Sequence, residues 1–114
     1  AEDSTAVRTA TRRMLERLGY QVLEAADGVE ALAVAAREQT QIDLLFTDVV
    51  MPNMDGKTLA EEMCRRYPKT RVVFASGYPE DHLKNHGMIS KNVALLQKPF
   101  NRDQVARAVS SVMD

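Results

Sequence analysis

The sequence predicts an α/β fold in which a parallel β-sheet is covered by helices on both faces. Segments with helical and strand-like patterns alternate along the chain, and this order is typical of parallel sheets. Several of the strand-like segments are nearly continuous apolar runs, as expected for strands that are buried on both faces. The 114 residues, 45% of them hydrophobic, match one small globular domain. We therefore interpret residues 1–114 as a single domain with right-handed connections.

The helices are predicted from apolar residues that recur every three or four positions. They are residues 5–18, residues 29–37, a third helix lined by Leu59, Met63 and Tyr67, and a fourth whose buried face is Val105, Ala108, Val109 and Val112. Gly19 ends the first helix and Pro68 ends the third. Asn101 is a suitable cap for the last helix.

Four short segments rich in β-forming or apolar residues predict strands. They are residues 20–25, 42–48, 71–75 and 93–97. The pattern of residues 79–92 is weaker. Residues 80–86 could form a short helix, but Gly87 interrupts it and Leu83 is its one strongly apolar residue, so we expect a mobile segment there.

Charge and composition exclude several function classes. Fifteen Lys and Arg residues against sixteen Asp and Glu residues give a net charge of -1, so the chain has no overall basic field for nucleic acid or an anionic membrane. No apolar run approaches the ~20 residues of a membrane span, and the first residues lack the order of a signal peptide. We therefore expect a cytoplasmic domain. Cys64 is the one cysteine, which excludes an internal disulfide and predicts a buried, inert thiol.

The candidate site lies at the carboxyl ends of the predicted strands, because residues at these ends converge in an open parallel sheet. The residues there are Glu2, Asp3, Asp48, Ser76 and Lys98. Crowded carboxylates repel one another unless a cation joins them, and oxygen ligands favour Mg²⁺ or Mn²⁺ over zinc. With a lysine charge and a hydroxyl donor added, the set has the parts needed to receive a phosphoryl group.

Each of these residues also has a simpler structural explanation. Glu2 and Asp3 could be the cap and acidic first turn of a helix, and Asp48 a solvated acid at a strand end. Ser76 could serve in a turn, and Lys98 could be a surface lysine. The combination of all five favours the functional interpretation over these alternatives.

Other signals are interpreted as structural. Asp55-Gly56 is predicted to be a turn and helix start. His82 and His86 have the spacing of a zinc pair, but no third ligand is evident, so solvated histidines are expected. The segment around Ser76 lacks the first glycine of a serine-hydrolase elbow. Val50 stands where an aspartate-nucleophile phosphatase would want a second acid.

Taken together, these motifs resemble the receiver domains of two-component response regulators and hybrid histidine kinases. The resemblance covers nearly the whole chain and implies a flavodoxin-like doubly wound parallel sheet. The residues on which the resemblance rests are Glu2-Asp3, Asp48, Met51-Pro52, Asp55-Gly56, Ser76-Gly77 and Lys98-Pro99-Phe100. The sequence segments around Ser76 and Lys98 look most like those of receivers fused to hybrid sensor kinases.

The resemblance implies a phosphoacceptor site at Asp48. Asp3, Asp48 and the backbone carbonyl of Val50 would bind Mg²⁺, or Mn²⁺ in its place, and Glu2 would assist through water. The phosphoryl donor would be the phosphohistidine of a histidine kinase or of a histidine phosphotransfer domain. The domain would then be a phosphoprotein of a phosphorelay and not a turnover enzyme in isolation.

The resemblance also implies the groups that receive the phosphoryl oxygens. Ser76 would bond one of these oxygens and Lys98 would pair with it, while the Lys98–Pro99 peptide would be cis and aim the lysine. A degenerate receiver that recognises a partner without phosphorylation is the alternative, and a metal-dependent phosphatase is a more distant one.

The sequence departs from the family at its first strand. That strand normally precedes the acid pair and lies centrally in the sheet, so the chain corresponds to a receiver truncated at its N-terminal end. If residues 1–114 are the entire polypeptide, we expect either a rearrangement or a neighbouring chain, as a dimer or by strand exchange, to replace the strand.

Three residues depart from the family in ways that affect switching and phosphoryl lifetime. Leu95 replaces the usual aromatic switch residue, so we expect output through residues 79–92 instead. Val50 and Tyr78 occupy positions that tune hydrolysis, and Gly77, directly before Tyr78, is grouped with them among the tuning or switch residues. Neither Val50 nor Tyr78 orients water well, which predicts a slowly decaying phosphoryl state.

Overall fold

The computed structural model describes residues 1–38, 41–77 and 93–113. The helices and strands in these ranges are α1 (Thr5–Arg17), α2 (Gly28–Glu38), β1 (Leu44–Asp48), α3 (Gly56–Arg66), β2 (Arg71–Ser76), β3 (Val93–Gln97) and α4 (Arg102–Met113). None of these helices has the length and apolar character that crossing a membrane requires. The predicted short helix at 80–86, the two histidines in it and the expected mobility of 79–92 lie outside the described residues.

The sheet is parallel with strand order β1-β2-β3, and helices cover both faces, which confirms the predicted fold class. Successive side chains of β2 point to opposite faces. Val72 and Phe74 join the core beneath α2 and α3, whereas Val73 joins the core beneath α1 and α4. All three are at most 2% exposed, so β2 is the buried centre of the described sheet.

Local capping contacts set the helix ends close to where the sequence predicts them. Ser4 caps α1, and Gly19 follows its end with φ +98°, a conformation that glycine adopts without strain. Asp55 Oδ1 accepts a hydrogen bond from the Thr58 amide at 2.7 Å, so the predicted helix start at Asp55-Gly56 is confirmed. Asn101 and Gln104 exchange side-chain-to-backbone hydrogen bonds of 2.8 and 2.9 Å at the start of α4.

The predicted strand at residues 20–25 is wrong, because these residues form no strand in the described structure. Ala1 and Glu2 continue the sheet for a short distance beside β1. The Ala1 nitrogen donates to the Phe46 carbonyl at 2.6 Å, the Asp48 amide donates to the Ala1 carbonyl at 2.9 Å, and the Glu2 amide donates to the Ala25 carbonyl at 3.0 Å. A strand needs a neighbour that pairs with it along its length. Within residues 20–25, only Ala25 is hydrogen-bonded to the Ala1–Glu2 segment.

A cavity of about 500 Å³ lies between α1, residues 20–25 and β1. Apolar side chains on its walls include Leu15, Val22, Leu23, Leu44 and Phe46. Among the described residues no other strand fills this space, and the expected rearrangement also stays a prediction. The expected dimer or strand exchange stays a prediction.

Candidate functional site

The carboxyl ends of the three strands place the predicted site residues at one edge of the sheet. Asp48 is the last residue of β1, Ser76 is the last of β2, and Lys98 directly follows β3. The parallel register sets Asp48 beside Ala75 and Ser76 beside Gln97. Glu2 reaches the same edge because the preceding Ala1 pairs with the backbone of β1.

Lys98 joins two of the acids. Its Nζ atom lies 3.1 Å from Asp48 Oδ1 and 2.6 Å from Glu2 Oε1. The Lys98 amide donates to the Ser76 carbonyl at 2.7 Å, and the Lys98–Pro99 peptide is cis, which is the form that the resemblance implies. The ammonium group therefore bridges Glu2 and Asp48, which precede Lys98 by 96 and 50 positions in the sequence, and it fixes the distance between them.

Glu2, Asp3 and Asp48 together form a group of oxygen ligands. One ligand oxygen from each lies within 4.8 Å of the others. Glu2 is buried, Asp48 is half-buried and Asp3 is exposed, so the group opens to solvent on the Asp3 side. Carboxylate oxygens at this spacing suit a hard cation such as Mg²⁺ or Mn²⁺, and the donor set therefore fits the predicted ion.

The charges in this group shift its pKa values in opposite directions. Burial raises the pKa of Asp48, and the Glu2 charge raises it further, although Lys98 opposes both effects. Burial also acts to raise the pKa of Glu2, but hydrogen bonds from Lys98 and from the Ser4 amide outweigh it and lower that pKa. For Lys98, burial is outweighed by its bonds to the two acids, which raise its pKa. Of Glu2 and Asp48, Asp48 is thus the acid whose negative charge is less well compensated.

Glycine at position 56 allows the loop after Asp48 to pass close to the strand end. The Gly56 amide donates to the Val49 carbonyl at 2.7 Å, and a Cβ atom at this position would lie 2.0 Å from the Asp48 carbonyl oxygen. Asn53, with φ +69°, donates from Nδ2 to Asp27 Oδ2 at 2.8 Å. These contacts hold the loop against both β1 and the start of α2.

The remaining predicted site residues that the structure describes differ in position and exposure. Ser76 is buried, and Gly77 follows it as an exposed residue. Val50 lies in the loop with 55% of its surface exposed. Leu95 lies in the middle of β3 and packs against the core beneath α2 and α3. Tyr78 lies outside the described residues.

Two contacts at the site have no signal in the sequence. Arg8 on α1 donates from NH1 to the Glu2 carbonyl at 2.8 Å, and its Nε lies 3.4 Å from Glu24 Oε1. The close approach of Gly56 to Asp48 is the second. Both depend on how distant segments meet, and a helix pattern or a turn motif does not encode this.

The arrangement can support attack by a carboxylate on an electrophilic centre. Asp48 supplies a nucleophilic oxygen, Lys98 supplies a fixed positive charge beside it, and the three acids can hold a cation. Cys64 was predicted to be buried, but the structure leaves it half-buried. Its thiol lies 3.8 Å from the Thr70 carbonyl oxygen, and partial burial raises its pKa.

Comparison with known proteins gives consistent matches over nearly the full chain. Residues 1–110 match the family model described as the response regulator receiver domain. Sensor kinase CckA of Brucella abortus (strain 2308) is 39% identical over 113 residues, which are 99% of this chain and 12% of that protein. The chain thus spans a small part of this relative's length.

Solved structures agree with the sequence matches. A crystal structure of the receiver domain from hybrid histidine kinase CckA superposes with a TM-score of 0.81 at 38% identity and covers 99% of this chain and 94% of that chain. A chain of the CheX-CheY-BeF3-Mg+2 complex from Borrelia burgdorferi superposes with a TM-score of 0.85 at 27% identity, covering 99% of this chain and 85% of that chain.

Proposed function

Because the chain belongs to the response regulator receiver domain family of two-component signalling, we propose that it accepts a phosphoryl group from a phosphohistidine onto Asp48. The contact between Lys98 Nζ and Asp48 Oδ1, at 3.1 Å beside Glu2 and Asp3, is the observation that carries this proposal. This arrangement places the half-buried Asp48 carboxylate beside both the Lys98 ammonium group and a group of oxygen ligands. That combination suits a nucleophile that must receive a dianionic group.

Mg²⁺ is the cofactor that fits this proposal, with Mn²⁺ as a substitute. Asp3 and Asp48 would hold it with the Val50 carbonyl, and Glu2 would assist through water. When bound, the ion supplies positive charge that offsets the negative charge of the phosphoryl oxygens. The chain that superposes from the CheX-CheY-BeF3-Mg+2 complex supports this proposal, since that complex includes both Mg²⁺ and a fluoride of beryllium.

Each of the chain's own residues then has a distinct task in the transfer. An Asp48 carboxylate oxygen forms the new bond to phosphorus as the phosphorus–nitrogen bond to the donor histidine breaks, and the imidazole leaves with that electron pair. Ser76 bonds a phosphoryl oxygen and Lys98 pairs with it. Lys98 already lies against Asp48, so little rearrangement is needed before reaction.

A histidine kinase or a histidine phosphotransfer domain is the proposed donor, and a hybrid histidine kinase is the proposed parent protein. The CckA receiver supports the second assignment. The isolated domain is proposed to be a phosphorylated signalling unit and not a turnover enzyme. Leu95 is aliphatic, so we propose that the signal passes through residues 79–92 or by onward transfer of the phosphoryl group.

Phosphorylation by a small donor tests the proposal without knowledge of the cognate kinase. Phosphoramidate offers a phosphorus–nitrogen bond like that of phosphohistidine, and intact-mass spectrometry counts the phosphoryl groups gained. We expect one group on the wild type with Mg²⁺ and none on Asp48→Asn. Asp43→Asn, which makes the same change at an exposed residue directly before β1, should be labelled like the wild type.

The same experiment separates this function from the alternatives. A folded wild type that stays unlabelled with Mg²⁺ and phosphoramidate, and with a phosphorylated histidine phosphotransfer domain, would favour a degenerate receiver. Repeated turnover of a small phosphate ester would instead favour a phosphatase. Label that persists in Asp48→Asn would place the acceptor elsewhere.

A further inference from the structure

Arg8 connects α1 to the backbone of the two acids Glu2 and Asp3. Its NH1 group donates to the Glu2 carbonyl at 2.8 Å, and this carbonyl belongs to the peptide that joins Glu2 to Asp3. Arg8 lies on the first turns of α1, and its side chain is 23% exposed. The guanidinium group therefore contacts the backbone between two predicted cation ligands without contacting their carboxylates in the described structure.

Glu24 holds the other side of the Arg8 guanidinium group. Its Oε1 atom lies 3.4 Å from Arg8 Nε, and its Oε2 atom lies 2.9 Å from Arg12 NH1. The next residue, Ala25, accepts the hydrogen bond from the Glu2 amide at 3.0 Å. Both polar groups of the Glu2 backbone are thus tied to residues 24 and 25, one directly and the other through Arg8.

This arrangement matters because little else fixes residues 20–25, which hold both polar groups of the Glu2 backbone. Residues 20–25 have no strand pairing in the described structure, and a cavity lies beside them. The two ion pairs from α1 to Glu24 hold the segment in place at a position where a ladder of backbone hydrogen bonds is lacking. They are partly buried, so solvent and salt weaken them less than they weaken pairs on an open surface.

We propose that Arg8, held by Glu24, is a positioning residue for the cation site, where it fixes the peptide between Glu2 and Asp3 and so presets the directions of their carboxylates. This inference rests on the proposed function, since it assumes that these acids bind a divalent cation. Groups that orient metal ligands without touching the metal commonly change its affinity by about 10- to 100-fold.

The sign of the change in affinity separates positioning from simple electrostatics. Removing a positive charge near an acidic site should by itself strengthen cation binding, because less positive charge then repels the ion. Loss of positioning should weaken binding instead. Arg8→Met therefore gives opposite results under the two explanations.

The experiment measures Mg²⁺ binding by calorimetry and Mn²⁺ binding from the paramagnetic resonance signal of the free ion. We expect the Kd of Arg8→Met to rise about tenfold, and that of Glu24→Gln to rise in the same direction. Arg13→Met is the matched control, because it removes the same charge from an exposed position on the same helix and should leave the Kd within about twofold of the wild type. Arg8→Lys keeps the charge but cannot bridge both partners, so its Kd should lie between those of Arg8→Met and the wild type.

A second measurement, amide hydrogen exchange, tests the positioning role without any bound metal. In the metal-free chain, amide exchange at Glu2 should accelerate in Arg8→Met and Glu24→Gln but not in Arg13→Met. Circular dichroism identifies a variant that fails to fold, in which case Arg8→Lys and Glu24→Gln decide the outcome.

The binding results distinguish failure of the Arg8 inference from failure of the proposed function. Folded Arg8 and Glu24 variants that bind the cation as tightly as the wild type, or more tightly, would overturn this inference and leave the proposed function intact. A wild type that binds neither ion would overturn the proposed function, and this inference with it.

Discussion

Asp48 has a pKa that burial raises, and its ionised form therefore costs the fold stability. Its side chain is 12% exposed, and the Lys98 contact does not fully offset burial and the Glu2 charge. Nucleophiles commonly lie in such environments, because an acid that the fold leaves incompletely neutralised can gain more from a cation or a new bond. Glu2 contrasts with it, since hydrogen bonds from Lys98 and the Ser4 amide lower its pKa.

Asp48→Asn is expected to stabilise the metal-free protein. The pKa of Asp48 is higher in the folded chain than its unfolded value of about 3.9, so the folded state holds the proton more tightly. The contribution of this group to the free energy of unfolding falls as pH rises from about 4 through the folded pKa. At neutral pH the neutral asparagine avoids this loss, and we expect Tm to rise by ~2–5 °C.

Thermal unfolding at pH 7 and at pH 4 checks this expectation, with Asp43→Asn as the exposed control. The gain for Asp48→Asn should shrink at pH 4, where the wild-type acid is protonated in part. Saturating Mg²⁺ should reduce it as well, because an ion that binds the wild type stabilises the wild type. A lower Tm for Asp48→Asn at neutral pH would contradict the assignment.

Val50 gives a second prediction at the residue scale. Its side chain is 55% exposed two residues after Asp48, and it has no polar group that could orient water. Val50→Asn adds such a group, and we expect the phosphoryl group on Asp48 to hydrolyse about 10-fold faster. Loss of label after removal of phosphoramidate measures the lifetime, and Val50→Leu is the apolar control. An unchanged lifetime in Val50→Asn would argue against a slow state caused by this residue.

At the scale of elements, the sequence predicts the helices and three of the four strands because their signals are local. The apolar faces of α1 and α4, the cap at Asp55 and the runs of β1 and β2 all lie within short stretches of chain. Residues 20–25 have a similar local pattern but form no strand, since a strand exists only where a neighbour pairs with it. Residues at the three strand ends were predicted to converge for the same topological reason that makes the fold recognisable.

Contacts made between elements are what the sequence could not reveal. Arg8 reaches Glu2 and Glu24 only after α1 has packed beside residues 24 and 25. Gly56 lies against Asp48 only because α3 begins immediately beneath the end of β1. A pattern of apolar residues predicts that a helix is present, but it does not specify which backbone atoms meet at the helix end.

Gly56→Ala tests the contact between α3 and β1. The added Cβ would lie 2.0 Å from the Asp48 carbonyl oxygen, so the loop or the helix start must move. We expect the free energy of unfolding to fall by about 1–3 kcal/mol and phosphorylation of Asp48 to slow. Chemical denaturation measures the first effect and the phosphoramidate assay measures the second.

Gly28→Ala is the matched control for this substitution. Its Cβ would meet the Met54 side chain at 2.9 Å, and a flexible methionine can move away at smaller cost than a backbone carbonyl. Gly28 is also the first residue of α2, where alanine favours the helix. Equal losses in the two variants would indicate that the Asp48 contact has no special importance.

At the scale of the whole molecule, stability is distributed unevenly across the sheet. β2 is paired on both sides and its central residues are buried, whereas residues 20–25 face a cavity of about 500 Å³ and are tied mainly by Glu24 and Ala25. The Glu2 amide is bonded to Ala25 on that less paired side, whereas Asp48 belongs to β1 and pairs with Ala75. The candidate site therefore joins the most and least firmly paired parts of the described sheet region.

Hydrogen exchange of the 114-residue chain should report this difference directly. Amides of residues 21–24 lack a ladder and are expected to exchange quickly, whereas those of Val73 and Phe74 should exchange only through global unfolding. Strong protection at 21–24 would contradict a single-chain structure with an open cavity. If that protection increased with protein concentration, a second copy would be supplying the strand, as the predicted dimer or strand exchange requires. Protection independent of concentration would instead mean that the chain pairs these residues itself, and the cavity would then be closed in solution.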